Sequence, residues 1–117
     1  MQEVTIWHNP KCSKSREAME IAAQNGCKVD VIKYLEESPD ENQIRTVLKM
    51  LDMKPRELMR TKEDLYKELN LKDESSDDAL IKVMFEHPKL IERPIIIKEG
   101  RAIIGRPTDK IAQFLNS

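Results

Sequence analysis

Two β-type runs, Val4 to His8 and Val29 to Leu35, stand on either side of a single helical segment. The first run alternates and is rich in β-branched residues. The helix starts near Ser13, carries Ala18, Met19, Ile21, Ala22 and Ala23 as an apolar side, and stops at Asn25-Gly26. That strand–helix–strand order predicts two parallel strands joined by a right-handed crossover.

The rest of the chain divides into a helical stretch and a closing hairpin. Ser38-Pro39-Asp40-Glu41 reads as a helix start, with Ser38 at N-cap, Pro39 at N1 and Glu41 at N3. Ile44, Val47, Leu48 and Leu51 then recur at helical spacing. Pro55 opens a short helical segment through Leu58 and Met59, and residues 62–71 offer one or two more turns. Ser75 or Ser76 caps a further helix bearing Leu80, Ile81, Met84 and Phe85, which ends before Pro88. Pro94 to Ile97 and Arg101 to Ile104 are β runs across a tight Glu99-Gly100 turn, and Thr108 caps a last helix with Ile111, Ala112, Phe114 and Leu115. Leaving out the helical stretch, the order βαβ–ββα resembles a thioredoxin-like α/β arrangement. The expectation is a mixed four-stranded sheet in one domain, residues 1–117, with a helical insert at about 38–90.

Composition narrows the function. Twenty basic against 21 acidic residues leave a net charge of -1, which argues against a general nucleic-acid or anionic-membrane surface. Aromatic residues make up 4% of the chain, too few for a base-stacking platform. No apolar run approaches the roughly 20 residues of a membrane span. Met1-Gln2-Glu3-Val4 shows no targeting signal, so the expected address is the cytoplasm, where cysteines stay thiols. Cys12 and Cys27 lack zinc-ligand spacing and only His8 and His87 could assist them, so no metal is expected.

The chemistry concentrates in His8-Asn9-Pro10-Lys11-Cys12-Ser13-Lys14-Ser15-Arg16. A strand runs into a proline turn, and a cysteine follows where the helix begins. A helix N-terminus offers about half a positive charge and several unpaired N–H donors, which favour a thiolate. Cys12 has Pro10, Lys11, Ser13 and Lys14 for neighbours, unlike a cysteine buried as a small hydrophobe. His8 is either a cation that lowers the Cys12 pKa or a strand-end residue that caps the loop, and the cation is the expectation carried forward. Asn9 could pin the turn, and Ser15 and Arg16 could support it by hydrogen bonds. Cys27 lies beyond the far end of the helix, roughly 20 Å from Cys12 at 1.5 Å per residue. A disulfide needs Cα atoms within about 7 Å. Ser15 fills the position that would complete a Cys-x-x-Cys pair, so a lone thiolate at Cys12 needs an external thiol to turn over.

Three arginines complete the pattern. Arg60 follows Leu58-Met59, Arg93 precedes Pro94, and Arg106 sits in Gly105-Arg106-Pro107. A residue before proline is held extended. In a thioredoxin-like fold such an Arg-Pro bond lies beside the active cysteine and is commonly cis. Guanidinium forks suit the oxygens of a tetrahedral anion.

These segments resemble the glutaredoxin-dependent arsenate reductases over nearly the whole chain. His8-Asn9-Pro10-x-Cys12-x-x-Ser15-Arg16 is similar to that family's active-site loop. Leu58-Met59-Arg60, Glu92-Arg93-Pro94-Ile95 and Gly105-Arg106-Pro107 are similar to its anion-binding segments, and Tyr66-Lys67-Glu68-Leu69 and His87-Pro88 to its helical insert. The resemblance implies that Arg60, Arg93 and Arg106 hold arsenate, that the Cys12 thiolate forms an arsenic adduct, and that glutathione and glutaredoxin resolve it. It also implies no bound cofactor, with glutathione as co-substrate. A monomer is expected, because no sustained heptad or spare apolar face remains. Two alternatives stand beside it: a redox-linked regulator docking on RNA polymerase, and a reductase of another small oxyanion.

Overall fold

The computed structural model describes residues 2–37, 39–106 and 108–116. They form two compact units, one from residues 1–37 and 93–117, the other from residues 38–92.

The first unit is a mixed four-stranded sheet with two helices. Its strands are β1 (Glu3–Trp7), β2 (Lys28–Ile32), β3 (Ile95–Lys98) and β4 (Arg101–Ile104), in spatial order β2-β1-β3-β4. β2 runs parallel to β1 with Trp7 opposite Ile32, as a crossover through α1 (Ser13–Gln24) requires. β3 and β4 are antiparallel, Trp7 facing Ile95 and Ile95 facing Ile104. Alternation along β1 sends Val4 and Ile6 to one face. There they are buried with Ala18 and Ala22 of α1, Ile96, and Ile111 and Leu115 of the last helix, Asp109–Leu115. Small alanines on α1 let the helix approach the sheet closely, and Cys27 packs at the margin of this core.

The first strand is shifted by one residue from its pattern, Glu3–Trp7 in place of Val4 to His8, and the second is shorter than its pattern. The second was expected to reach Leu35, but it ends at Ile32. His8 N–H donates to Ile32 C=O at 2.8 Å, and the chain then turns, with the N–H groups of Glu36 and Glu37 donating to Lys33 C=O. Tyr34 is buried within that turn, which is why an aromatic residue there imitates a strand. α1 ends in a left-handed glycine: Gly26, at φ +71°, donates to Ala23 C=O while Cys27 N–H donates to Ala22 C=O.

Gly105 is needed for a different reason. A Cβ there would lie 2.9 Å from Pro94 Cγ and 3.0 Å from both Ile111 Cδ1 and Ile96 Cδ1. Gly105→Ala should therefore cost about 1–3 kcal/mol by overpacking, measurable by urea unfolding. An unchanged midpoint would show that the proline ring yields.

The second unit holds four helices, numbered in chain order: α2 (Glu41–Leu51), α3 (Pro55–Leu58), α4 (Asp64–Glu68) and α5 (Asp77–Glu86). Short 3₁₀ turns lie at Leu71–Asp73 and Pro88–Leu90. The helix Asp109–Leu115 of the first unit is α6. Ser38, expected as the cap of α2, lies outside the described residues, and the cap is Asp40. Its carboxylate accepts from Gln43 N–H at 2.7 Å, while Gln43 Oε1 accepts from Asp40 N–H at 2.8 Å. Ser76 caps α5 through Ala79 N–H. Thr108 stands at the N-cap of α6, but its hydroxyl makes no cap bond because its backbone is already helical. Ile44, Val47, Leu58, Leu80, Ile81, Met84, Leu90 and Ile91 are buried here. Arg56 ties the connecting turns together, donating to Tyr66 Oη and to the carbonyls of Leu71 and Glu74. No helix among the described residues is long and apolar enough to cross a membrane.

Candidate active site

The loop between β1 and α1 is folded by its own polar groups. Asn9 Oδ1 accepts from Lys11 N–H at 3.0 Å, and Asn9 C=O accepts from Cys12 N–H at 3.0 Å. These bonds close a turn that delivers Cys12 to the N-cap of α1, in extended conformation. Its carbonyl accepts from Arg16 N–H as a helical i→i+4 bond at 3.0 Å. Arg16 Nη1 donates back to Pro10 C=O at 3.0 Å, bracing the outside of the turn. Ser15 is wholly buried; its Oγ lies 2.6 Å from His8 Nδ1 and accepts from Asn9 N–H at 3.0 Å.

Cys12 is buried, and burial raises the pKa of a thiol. The opposing contributions outweigh it. The N–H of Ser15 points at the sulfur, the Arg93 guanidinium supplies a hydrogen bond and a positive charge, and the N–H of Lys14 adds a further donor. The net result is a pKa below the ordinary thiol value. Arg106 Nη2 also reaches Sγ at 3.5 Å, while its Nε donates to Arg93 C=O at 2.7 Å. The Arg93–Pro94 peptide is cis. Because the folded pKa is lowered, Cys12 is thiolate in the window between that value and the free-thiol pKa of about 8.5. The rate of alkylation by iodoacetamide should accordingly level off at lower pH than for a free thiol. A midpoint at or above the free-thiol value would contradict this.

His8 is 8% exposed, and burial, then the charges of Lys33 and Arg16, lower its pKa, against a hydrogen bond at Ser15 that raises it. These surroundings work against the cation expected at this position. Lys33 and the main-chain donors of Lys14 and Ser15 are participants that residue-type reasoning passed over. The register signals Lys33: with Trp7 opposite Ile32, the next residues His8 and Lys33 come level at the end of the parallel pair.

The structure brings Cys12, His8, Asn9, Ser15, Arg16, Arg93 and Arg106 together in the first unit. Arg60 belongs to the second. It follows an isolated bridge between Met59 and Ile91, its N–H donates to Leu90 C=O at 2.7 Å, and its guanidinium pairs with Glu63. Cys27 is half-buried, and both cysteines are free thiols. Among the described residues no three His, Cys, Asp or Glu side chains gather as metal ligands.

Sequence and structure comparisons agree with one another. The chain is 50% identical over 116 residues to the uncharacterized protein YfgD of Escherichia coli, covering 97% of this chain and 98% of that one. It is 42% identical over 117 residues to an arsenate reductase of Neisseria meningitidis, covering 98% and 100%. It superposes on an arsenate reductase from Vibrio cholerae with a TM-score of 0.93 and 49% identity, over 96% of this chain and 97% of that one. The sequence profile of the ArsC family matches residues 7–114, a span that begins at the end of β1 and includes the cysteine loop and all three arginines. This chain belongs to the ArsC family and has its thioredoxin-like fold.

Proposed function

We propose that this chain reduces arsenate to arsenite, with Cys12 as nucleophile and external thiols as the electron source. The observation that carries the reading is the Cys12 sulfur itself, which meets the first N–H groups of α1 and the guanidinium groups of Arg93 and Arg106. The names of the Neisseria and Vibrio relatives support arsenate as the substrate. Arg60 joins as a third anion-binding residue on the strength of its Leu58-Met59-Arg60 segment.

The thiolate attacks arsenic(V), a sulfur–arsenic bond forms, and one arsenate oxygen leaves as water after taking up a proton. Donors already aimed at the sulfur stabilise the negative charge that moves onto the oxyanion. Glutathione thiolate then attacks the cysteine sulfur. A disulfide forms and the sulfur–arsenic pair of electrons passes to arsenic, which departs as arsenite, arsenic(III). Glutaredoxin takes the glutathione from Cys12 and restores the thiol. Two thiols are oxidised for each arsenic reduced, so no metal or organic cofactor is needed.

The test is arsenite release from arsenate with glutathione, glutaredoxin and a glutathione-recycling system. Phosphate presents the same tetrahedral oxygens but is not reduced by thiols, so it should compete for binding without turnover. Absence of arsenite above the protein-free rate would overturn the reading. Turnover of a different oxyanion in the same assay would keep the thiolate site and change the substrate.

A further inference from the structure

We propose that Lys11 and Lys14 form a cationic rim at Cys12 that selects a carboxylate-bearing thiol, of the glutathione type, as the reductant. This rests on the reading of Cys12 as a nucleophile turned over by outside thiols. Residues 8–16 contain Lys11, Lys14 and Arg16 but no acid, in a chain whose net charge is -1. Lys33 extends the rim from just beyond β2, and its charge and that of Arg16 both act on His8. All four cations are exposed. Among the described residues the ammonium groups of Lys11, Lys14 and Lys33 enter no ion pair.

The lysines serve neither packing nor the helix. The first turn of α1 has no acid, and Lys14 and Arg16 stand there against a dipole that disfavours cations at that end. Arg16 is held by the Pro10 carbonyl. Arg93 and Arg106 are the groups at the Cys12 sulfur, and in the arsenic adduct they face the oxyanion. A thiol arriving to resolve that adduct must find partners for its carboxylates elsewhere. The exposed side chains next to Cys12 along the chain are Lys11, Ser13 and, one residue further, Lys14.

The charge acts on the encounter. In the resolving step the donor thiolate attacks the Cys12 sulfur, a sulfur–sulfur bond forms as the sulfur–arsenic bond breaks, and arsenic leaves with the electron pair. Glutathione reaches that sulfur carrying two carboxylates and one ammonium, so the rim draws it in. Each exposed charge pair is weak alone, but several of one sign steer an approaching ion together. A neutral thiol gains nothing from the rim, and a cationic one is repelled.

The test uses Cys27→Ser protein, so that Cys12 is the one thiol that reacts. Its thiolate attacks a disulfide, forming a mixed disulfide and releasing the other half as thiolate. Intact mass follows the rate with oxidised glutathione, which is anionic, with bis(2-hydroxyethyl) disulfide, which is neutral, and with cystamine, which is cationic. Adding Lys11→Gln and Lys14→Gln should lower the ratio of the glutathione rate to the neutral rate roughly fivefold and raise the ratio for cystamine. Salt should slow the glutathione reaction of the parent and leave the neutral one nearly unchanged. Lys11→Arg with Lys14→Arg keeps both charges and should hold the parent ratios. Equal slowing toward all three disulfides would mean only a weaker nucleophile, and unmoved ratios would mean no selection; either overturns the proposal. So do parent ratios combined with slower discharge of the glutathionylated protein by glutaredoxin, because the rim would then serve a protein. No arsenate enters these rates. Charge-ordered rates without arsenite release in the assay above would sink the arsenate reading and leave the rim intact.

Discussion

Cys12→Ser is expected to lower arsenate reduction by at least roughly 10³-fold, because removal of a nucleophile leaves only binding and electrostatic assistance. The hydroxyl is a far weaker acid than the thiol, so the donors that hold a thiolate at Cys12 cannot hold an alkoxide at neutral pH. The fold should be little affected, since serine is slightly smaller and its hydroxyl meets the same N–H groups. Cys27→Ser is the matched control. Cys27 lies beyond the far end of α1, at the margin of the sheet core, with its sulfur 4.0 Å from Gln2 Oε1 and from Asn25 C=O. Its activity should stay within about twofold of the parent, as for other replacements away from a site. Comparable loss in both variants would mean that the two cysteines cooperate after all, and full activity in Cys12→Ser would end the nucleophile assignment.

Arg106→Ala and Arg93→Ala carry the next largest effects, about 10²-fold each in kcat/KM for arsenate, the scale of losing one donor to a developing oxyanion. The two should differ in kind. Arg106 is exposed, anchored through Nε to the Arg93 carbonyl, with Nη2 turned to the sulfur. Its loss should act mostly on the bound anion. Arg93 also lowers the Cys12 pKa directly, so Arg93→Ala should shift the thiolate titration upward as well as weaken arsenate use. Lysine at either position keeps the charge but loses the planar fork, and should recover only part of the activity. Unchanged kinetics in both alanine variants would break the arginine clamp, and an unmoved titration in Arg93→Ala would contradict the charge argument.

Much of this architecture follows from short-range pattern. The alternation of Val4, Ile6 and their neighbours, the alanine side of α1 and the Asn25-Gly26 stop carry the crossover unit, and Glu99-Gly100 between two isoleucine-rich runs carries the hairpin. Each of these features is local, set by side-chain period or by a residue that tolerates left-handed backbone. What the pattern could not convey is decided by partners distant in sequence. Lys98 looks like a solvent-facing lysine in a strand, yet it is 2% exposed, with Nζ donating to Leu115 C=O at 2.7 Å at the end of α6. Arg56 looks like a surface cation in a charged helix, yet it gathers acceptors 10, 15 and 18 residues away. Asp40 caps α2 because Gln43, three residues on, completes a reciprocal pair with it. His8 reads as a cation from the residues beside it, but its own burial and the charge of Lys33, 25 positions on, lower its pKa. The cysteine loop itself was legible because Asn9, Pro10 and Ser15 act within a few residues of Cys12.

The most direct test is intact-mass analysis of the wild-type protein incubated with arsenate and glutathione but without glutaredoxin. A single glutathione on Cys12 is expected, formed only when arsenate is present and discharged when glutaredoxin is added. A Cys12–Cys27 disulfide, or glutathione uptake independent of arsenate, would contradict a lone thiolate that attacks the oxyanion and passes its oxidation to an outside thiol.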